Sequence, residues 1–357
     1  MNILNRYLAS QILASIGLAL AVLLLLFGFF DLLEEMGDVG QGNYTMAKAL
    51  LFIALQQPGR IHELMPIAAI IGTLFALARL AVNSEFNVMR ASGLPPAQLI
   101  KLMLGLGASL ALAILIIGEL ITPLAEQTAQ QIKLRTTSRV VAQEFKSGLW
   151  AKDGKNFVNA QEMLPDATLV NVRIYQFDEV FRLKAIQTAE SGIWSNDGYW
   201  QLKNVQSTQL DETGAKTELL PTLRWQSSIT PDLLSVLMIT PDRMALHTLH
   251  AYIGHLEENR QKTTRYEIAL WAKLVYPLAA PVMLLLALPF VYLQPRASGV
   301  SGRIMIGVLI GLAFYLVNRL AAHLGLLNDW PPSLSAGLPI LVFSGIAAAS
   351  LWLVERR

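Results

Sequence analysis

The chemistry this sequence offers is mostly that of its cations. Arg319 lies inside an apolar stretch, Lys133 and Arg135 follow another, and Arg60 precedes a third. Lysine and arginine both bind phosphate, arginine with bidentate geometry. A cation within an apolar span is costly, so Arg319 is a binding candidate, or else it snorkels or pairs with a carboxylate. The plainer alternative for Lys133 and Arg135 is solvated charge, and for Arg60 an interface anchor. A second group sits in SEFNVMRASGLPP, residues 84–96. There Phe86, Met89 and Arg90 share one helical face by their spacing. With Glu85 they form either a protein-contact patch or one side of a helix lying on lipid. His247 and His250 are three apart, but with His255 they find no third ligand type nearby, so no metal site is expected. No Ser/His/Asp set or converging carboxylate pair is present, and the chain is read as lacking catalysis of its own. It also lacks G-x-x-x-x-G-K-[ST], so any ATP-driven work belongs to a partner.

These residues must be held by membrane helices. The 357 residues are 54% hydrophobic and 15% charged, with a formal net charge of +2 and no cysteine; mean hydropathy is +0.45. That composition indicates a membrane protein with a sizeable polar part and gives no reason to expect a nucleic-acid partner. The missing cysteines exclude disulfides, thiolate zinc sites and iron–sulfur ligation. Apolar runs occupy 12–30, 64–78, 102–118, 274–293, 304–318 and 330–354. A bilayer core takes about 20 helical residues. The two shorter runs reach that length if Arg79 and Arg303 snorkel. Six spans are therefore expected. Asp31, Glu34 and Glu35 follow the first run in place of a small-residue cleavage site, so that run is read as an uncleaved span. Arg6, Arg79, Arg90, Lys101, Arg296, Arg303, Arg356 and Arg357 fall on one side and predict cytoplasmic termini.

Between the third and fourth spans lie about 140 polar residues, enough for a domain. Turn signals at Asp153-Gly154 and Asn196-Asp197-Gly198 separate short alternating stretches such as LVNVRIYQF, with TLRWQSSIT a further strand. This predicts an all-β sandwich or jelly roll on the far side of the membrane. In MALHTLHAYIGHLEENRQ, Leu246, Leu249, Ile253 and Leu256 recur at helical spacing and predict an amphipathic helix returning to the membrane. Three units result: 1–125 with three spans, 126–265 with the β domain and this helix, and 266–357 with three more spans. Pro277, Pro281 and Pro289 are expected to kink the fourth span.

The polar loop 84–93 reads as a short helix. Asn83-Ser84 offers an N-cap, Glu85 suits the positive end, Gly93 suits the C-terminal cap, and Pro95-Pro96 stop it. Residues 85–92 make a helix about 12 Å long.

HELMPIAAIIGTLFALARLA, SEFNVMRASG, GLWAKDGKNFV, VRIYQFD, ITPDLL and SLWLVERR together resemble the lipopolysaccharide export permeases, the LptF/LptG family, and its LptG branch in particular. The resemblance covers essentially the whole chain. It implies an inner-membrane permease of a Gram-negative bacterium that extracts lipopolysaccharide and passes it to a periplasmic jelly-roll bridge. It implies an LptF-like second permease, an LptB-like ATPase dimer that binds the ATP and magnesium, and LptC-like and LptA-like bridge proteins. No cofactor is implied for this chain. Glu85, Phe86, Met89 and Arg90 would couple to the ATPase. Arg60, Lys133, Arg135 and Arg319 would meet phosphates. Phe27, Phe30, Met65, Phe314 and Tyr315 would line a lipid cavity, a role that competes with plain helix packing. One departure stands out: related sequences often carry lysines at the outer end of the first span, whereas DLLEEMGDVGQG is acidic. Asp31 there would repel phosphate unless divalent cations bridge them. Two other readings are a lipoprotein-release or mechanotransmission permease, against which six spans and a central domain argue, and a structural anchor for periplasmic partners.

Overall fold

In hydrocarbon a backbone must satisfy its own hydrogen bonds, so apolar runs of this length fold as helices. The computed structural model describes residues 3–93, 95–136, 149–163, 168–195, 197–211, 214–231, 241–293 and 300–355. Six helical segments in it are long and apolar enough to cross a bilayer. The first is α1 (Ile3–Glu35) and the second α2 (Met46–Val82). The third joins α4 (Pro96–Ile116), a π turn (Ile117–Ile121) and α5 (Thr122–Thr136). The fourth joins α7 (Thr264–Val275), a 3₁₀ turn (Tyr276–Leu278) and α8 (Ala279–Ala287). The last two are α10 (Val300–Leu327) and α11 (Pro332–Glu355). Short helices α3 (Glu85–Ala91), α6 (Leu246–Glu258) and α9 (Pro289–Leu293) are also present among the described residues.

The helices outrun their apolar runs. The 37 residues of α2 span about 55 Å, against a hydrocarbon core of about 30 Å. Its end near Met46 therefore projects beyond the bilayer. This helix is the central post: α1, α8 and α10 pack on it, and Ile70, Leu74 and Leu77 are fully buried. In contrast, α1 and α10 keep most of their membrane surface exposed. Of the prolines in the fourth span, Pro277 lies in the 3₁₀ turn and Pro289 opens α9, so both interrupt the helix as expected. Pro281 is accommodated in the first turn of α8. Arg303 does not snorkel outward; it is 2% exposed. The protein, rather than the membrane interface, takes up its side chain.

Among the described residues between the third and fourth spans, six strands form one antiparallel sheet in simple sequence order, β1 to β6. They are Leu149–Asp153, Asn156–Met163, Leu169–Phe177, Leu183–Trp194, Trp200–Asp211 and Gly214–Trp225. The first hairpin pairs Asp153 with Asn156, which leaves Gly154 and Lys155 as the turn. The hairpin is where the sequence put it, with its turn one residue later. Buried residues along β3 are Leu169, Val172 and Ile174, and along β5 they are Trp200, Leu202, Val205 and Ser207. A step of three replaces the step of two once in each strand, from Leu169 to Val172 and from Leu202 to Val205. At that level Asn171 and Asn204 both turn left-handed, at φ +50°, while the pairing register is the same on either side of them; the Asn204 amide donates to Glu190 between them. A single left-handed residue re-phases the side chains that follow it. The sheet curls over a core centred on Trp200, whose indole N–H donates to the Ile229 carbonyl at 2.7 Å.

Candidate functional site

The helix α3 closes one end of the bundle. Ser84 takes a left-handed φ of +63°, and its carbonyl accepts the Val88 N–H at 3.1 Å. Gly93 ends the segment at φ +92°, a conformation in which a side chain is strained. The helix docks through Phe86, 2% exposed, which meets the Tyr292 ring edge-on at 5.6 Å. Met89 is buried in the same core. Glu85 accepts the Tyr7 hydroxyl at 2.8 Å and so ties α3 to α1. The face left open carries Asn87, Val88 and Ala91, with Val88 67% exposed. Phe86 and Met89 thus fix the helix in place, while Asn87 and Val88 are what a partner would touch. The Arg90 side chain lies outside the described residues.

At the opposite end, the cations meet carboxylates. Arg60 reaches Asp31 at 2.6 Å through Nη2 and Glu63 at 3.5 Å, and sits over the Phe27 ring at 5.7 Å. Lys133 binds Glu35 at 2.6 Å and Asp38 at 3.2 Å and covers the Phe52 ring at 4.9 Å. The Tyr44 hydroxyl donates to Glu35 at 2.7 Å; burial and that carboxylate push it well above the ordinary phenol range. Asp31 and Glu35 are both buried, and a buried charge must be paired. The acidic stretch that opposes phosphate in the sequence is therefore the internal counter-charge of Arg60 and Lys133. The Arg135 side chain lies outside the described residues.

The remaining candidates are scattered. Arg319 is exposed on α10 and lies over Tyr315 of the same helix at 5.5 Å. Phe314 is 2% exposed, edge-on to Phe343 at 5.3 Å; Met65 is buried in the same cluster. Phe30 is 56% exposed. His247 and His250 are exposed, and His255 is half-buried against Tyr252.

Sequence reasoning missed a polar layer nearby. Glu119, in the π turn, accepts from Lys273 of α7 at 3.2 Å, and Lys273 is 6% exposed. His62 stacks on Tyr276 at 5.3 Å, and the Tyr276 hydroxyl donates to the Glu63 carbonyl at 2.6 Å. Gly118 is required there, because a Cβ would lie 2.4 Å from His62 Nδ1. Arg243 donates to the buried Glu126 at 2.7 Å. The available signal was Glu119 itself, an acid beside a glycine at the end of an apolar run.

A six-span bundle with a β domain inserted at its centre, and a short helix between spans two and three, is what the comparisons then meet. The family model for Lipopolysaccharide export system permease LptF/LptG matches residues 6–356. The chain belongs to the lipopolysaccharide export permease family. It is a multi-pass membrane transporter component of that family. It is 31% identical to lipopolysaccharide export system permease protein LptG of Escherichia coli K12 over 361 residues, covering 100% of this chain and 99% of the relative. It is likewise 31% identical to LptG of Haemophilus influenzae over 359 residues, again 100% and 99%. LptF of Escherichia coli K12 is 32% identical over 99 residues, 28% of this chain and 27% of that protein. The kinship to LptG is thus end to end, and that to LptF partial.

Proposed function

We propose that this permease is the LptG-like subunit of an ATP-driven exporter that draws lipopolysaccharide from the inner membrane and hands it to a periplasmic bridge. The observation that carries this reading is the end-to-end kinship with proteins named lipopolysaccharide export system permease LptG. The partial kinship with LptF supports an LptF-like second permease beside it. On this reading residues 1–125 and 266–357 are the membrane units, residues 126–265 are periplasmic, and both termini are cytoplasmic. The chain carries no cofactor; ATP and magnesium bind an LptB-like ATPase dimer, and LptC-like and LptA-like proteins continue the β domain.

The helix α3 is the coupling element, within residues 84–93. Phe86 and Met89 transmit its position to the bundle, and Glu85 and Arg90 add polar contacts. An exposed face on a short helix held to the bundle by Phe86 and Met89 suits a groove on the ATPase. Arg60, Lys133, Arg135 and Arg319 serve the lipid phosphates, and Phe27, Phe30, Met65, Phe314 and Tyr315 the acyl chains. Phosphate must compete with Asp31 and Glu35 for the first two cations, which favours release over retention.

Native mass spectrometry of the complex, purified through a tag on this chain, tests the reading. An ATPase dimer, a second six-span subunit and a lipid of lipopolysaccharide mass are expected. Recovery of the chain with periplasmic proteins but neither ATPase nor lipid would overturn it. Glu85→Ala and Arg90→Ala should lower ATPase recovery while leaving membrane insertion intact.

A further inference from the structure

The helix α6 is fastened at both ends, and its ends belong to different parts of the molecule. At its start, the Leu246 N–H donates to Oε1 of Glu119, whose Oε2 accepts from Lys273. Glu119 belongs to the third span and Lys273 to the fourth. Just upstream, Arg243 is paired with Glu126 of α5 at 2.7 Å. Along its length, Leu249, Tyr252, Ile253 and Leu256 are buried, and the Tyr252 and Tyr266 rings meet at 4.7 Å against α7.

At its far end stands Asn259, 6% exposed. Its side-chain N–H donates to the His255 carbonyl at 2.9 Å, which caps α6. Its side-chain oxygen accepts the Gly154 N–H at 2.8 Å, and its backbone carbonyl accepts the Lys152 ammonium at 2.9 Å. Gly154 and Lys152 belong to the first hairpin of the sheet. One residue therefore holds the helix end and the hairpin together. Its amide fits the place because it both donates and accepts. Between the two fastenings lie 13 helical residues, a rod about 20 Å long.

We propose that Asn259 is the positioning residue that sets the β domain on the membrane bundle, with α6 as a strut from Glu119 to the first hairpin. The strut stands on the geometry. Its use, carrying movement of the third and fourth spans to the β domain, rests on the transport reading above.

The chain contains no cysteine, so introduced pairs can be spin-labelled without background. One pair, Lys203→Cys and Glu257→Cys, spans the joint from exposed positions on β5 and α6. A second, Glu257→Cys and Arg265→Cys, lies within the helical hairpin. Pulsed EPR is done on the full chain in nanodiscs. The first distance should be narrow, and should at least roughly double in width when Asn259→Ala and Lys152→Ala are combined. The second should not change, and Asn259→Asp, which keeps the acceptor for Gly154, should preserve the narrow first distance. An unchanged first distance in the double variant, or equal broadening of both, overturns the proposal. In the assembled transporter the double variant should hydrolyse ATP as the wild type does but pass lipid to a soluble acceptor roughly fivefold more slowly or worse. Should the wild type pass no lipid while the label distances behave as described, the transport reading falls and the positioning role stands.

Discussion

The contact between α1 and α2 leaves no room for a methyl group at Gly72. A Cβ there would lie 2.5 Å from both Cα and N of Ile16 and 2.8 Å from the Ser15 carbonyl carbon. Carbon atoms rest at about 3.5–4.0 Å from one another, so Gly72→Ala must push α1 off α2 by roughly 1 Å. The obstructing atoms are backbone and cannot rotate aside. Overpacking of this kind costs about 1–3 kcal/mol, which lowers the folded-to-unfolded ratio roughly 5- to 150-fold. Alanine also gains about 1 kcal/mol of helix propensity over glycine, so a control is needed. Gly17, adjacent to Ile16 on α1, has nothing within 4 Å of its would-be Cβ. Gly17→Ala brings the same propensity gain without the collision. Both variants are titrated with SDS in mixed micelles, with the unfolding midpoint read by tryptophan fluorescence. Gly72→Ala should unfold earlier than the wild type, and Gly17→Ala no earlier. Equal midpoints for all three proteins would refute the close approach of the two helices.

At α3, stability and partner binding should separate. Phe86→Ala empties a packed site and should cost about 3–5 kcal/mol of stability, whereas Val88→Glu changes an exposed residue and should leave the midpoint unchanged while reducing the ATPase recovered with the complex. Removing Glu119 strands the buried Lys273 ammonium, so Glu119→Ala should destabilise by about 3–5 kcal/mol, and adding Lys273→Met should restore much of the loss; a double variant no better than the single would show that the ion pair is not what matters there. In the sheet, Asn204 holds a left-handed backbone at φ +50°. Asn204→Val should cost about 1–3 kcal/mol in thermal unfolding of the β domain and Asn204→Gly much less; equal effects would argue against backbone strain.

The six spans were legible because the bilayer imposes one length and one polarity on whatever crosses it. The ends of the helices were not. Polar residues of α2, α5 and α7 continue as helix beyond the apolar runs because neighbouring helices, not lipid, satisfy them. In the loop at 84–93 the stop was readable, since Gly93 and Pro95-Pro96 act locally; the expected N-cap was not met, because Ser84 turns left-handed at φ +63° where a cap residue is extended. Spacing also put Phe86 and Met89 on one face. It could not tell that this face turns inward, because that depends on Tyr292 from a distant part of the chain. The cations Arg60 and Lys133 were found by type, and the acidic stretch that holds Asp31 and Glu35 was read as repelling phosphate; only the fold joins Lys133 to Glu35 across 98 positions. The alternation in β3 was visible, but the shift of phase at Asn171 follows from a left-handed backbone, φ +50°, that no local pattern announces. Local sequence thus determined which segments are helix, strand and turn. Which faces are buried and which charges are paired required the tertiary structure, since each depends on a contact whose second half lies elsewhere in the chain.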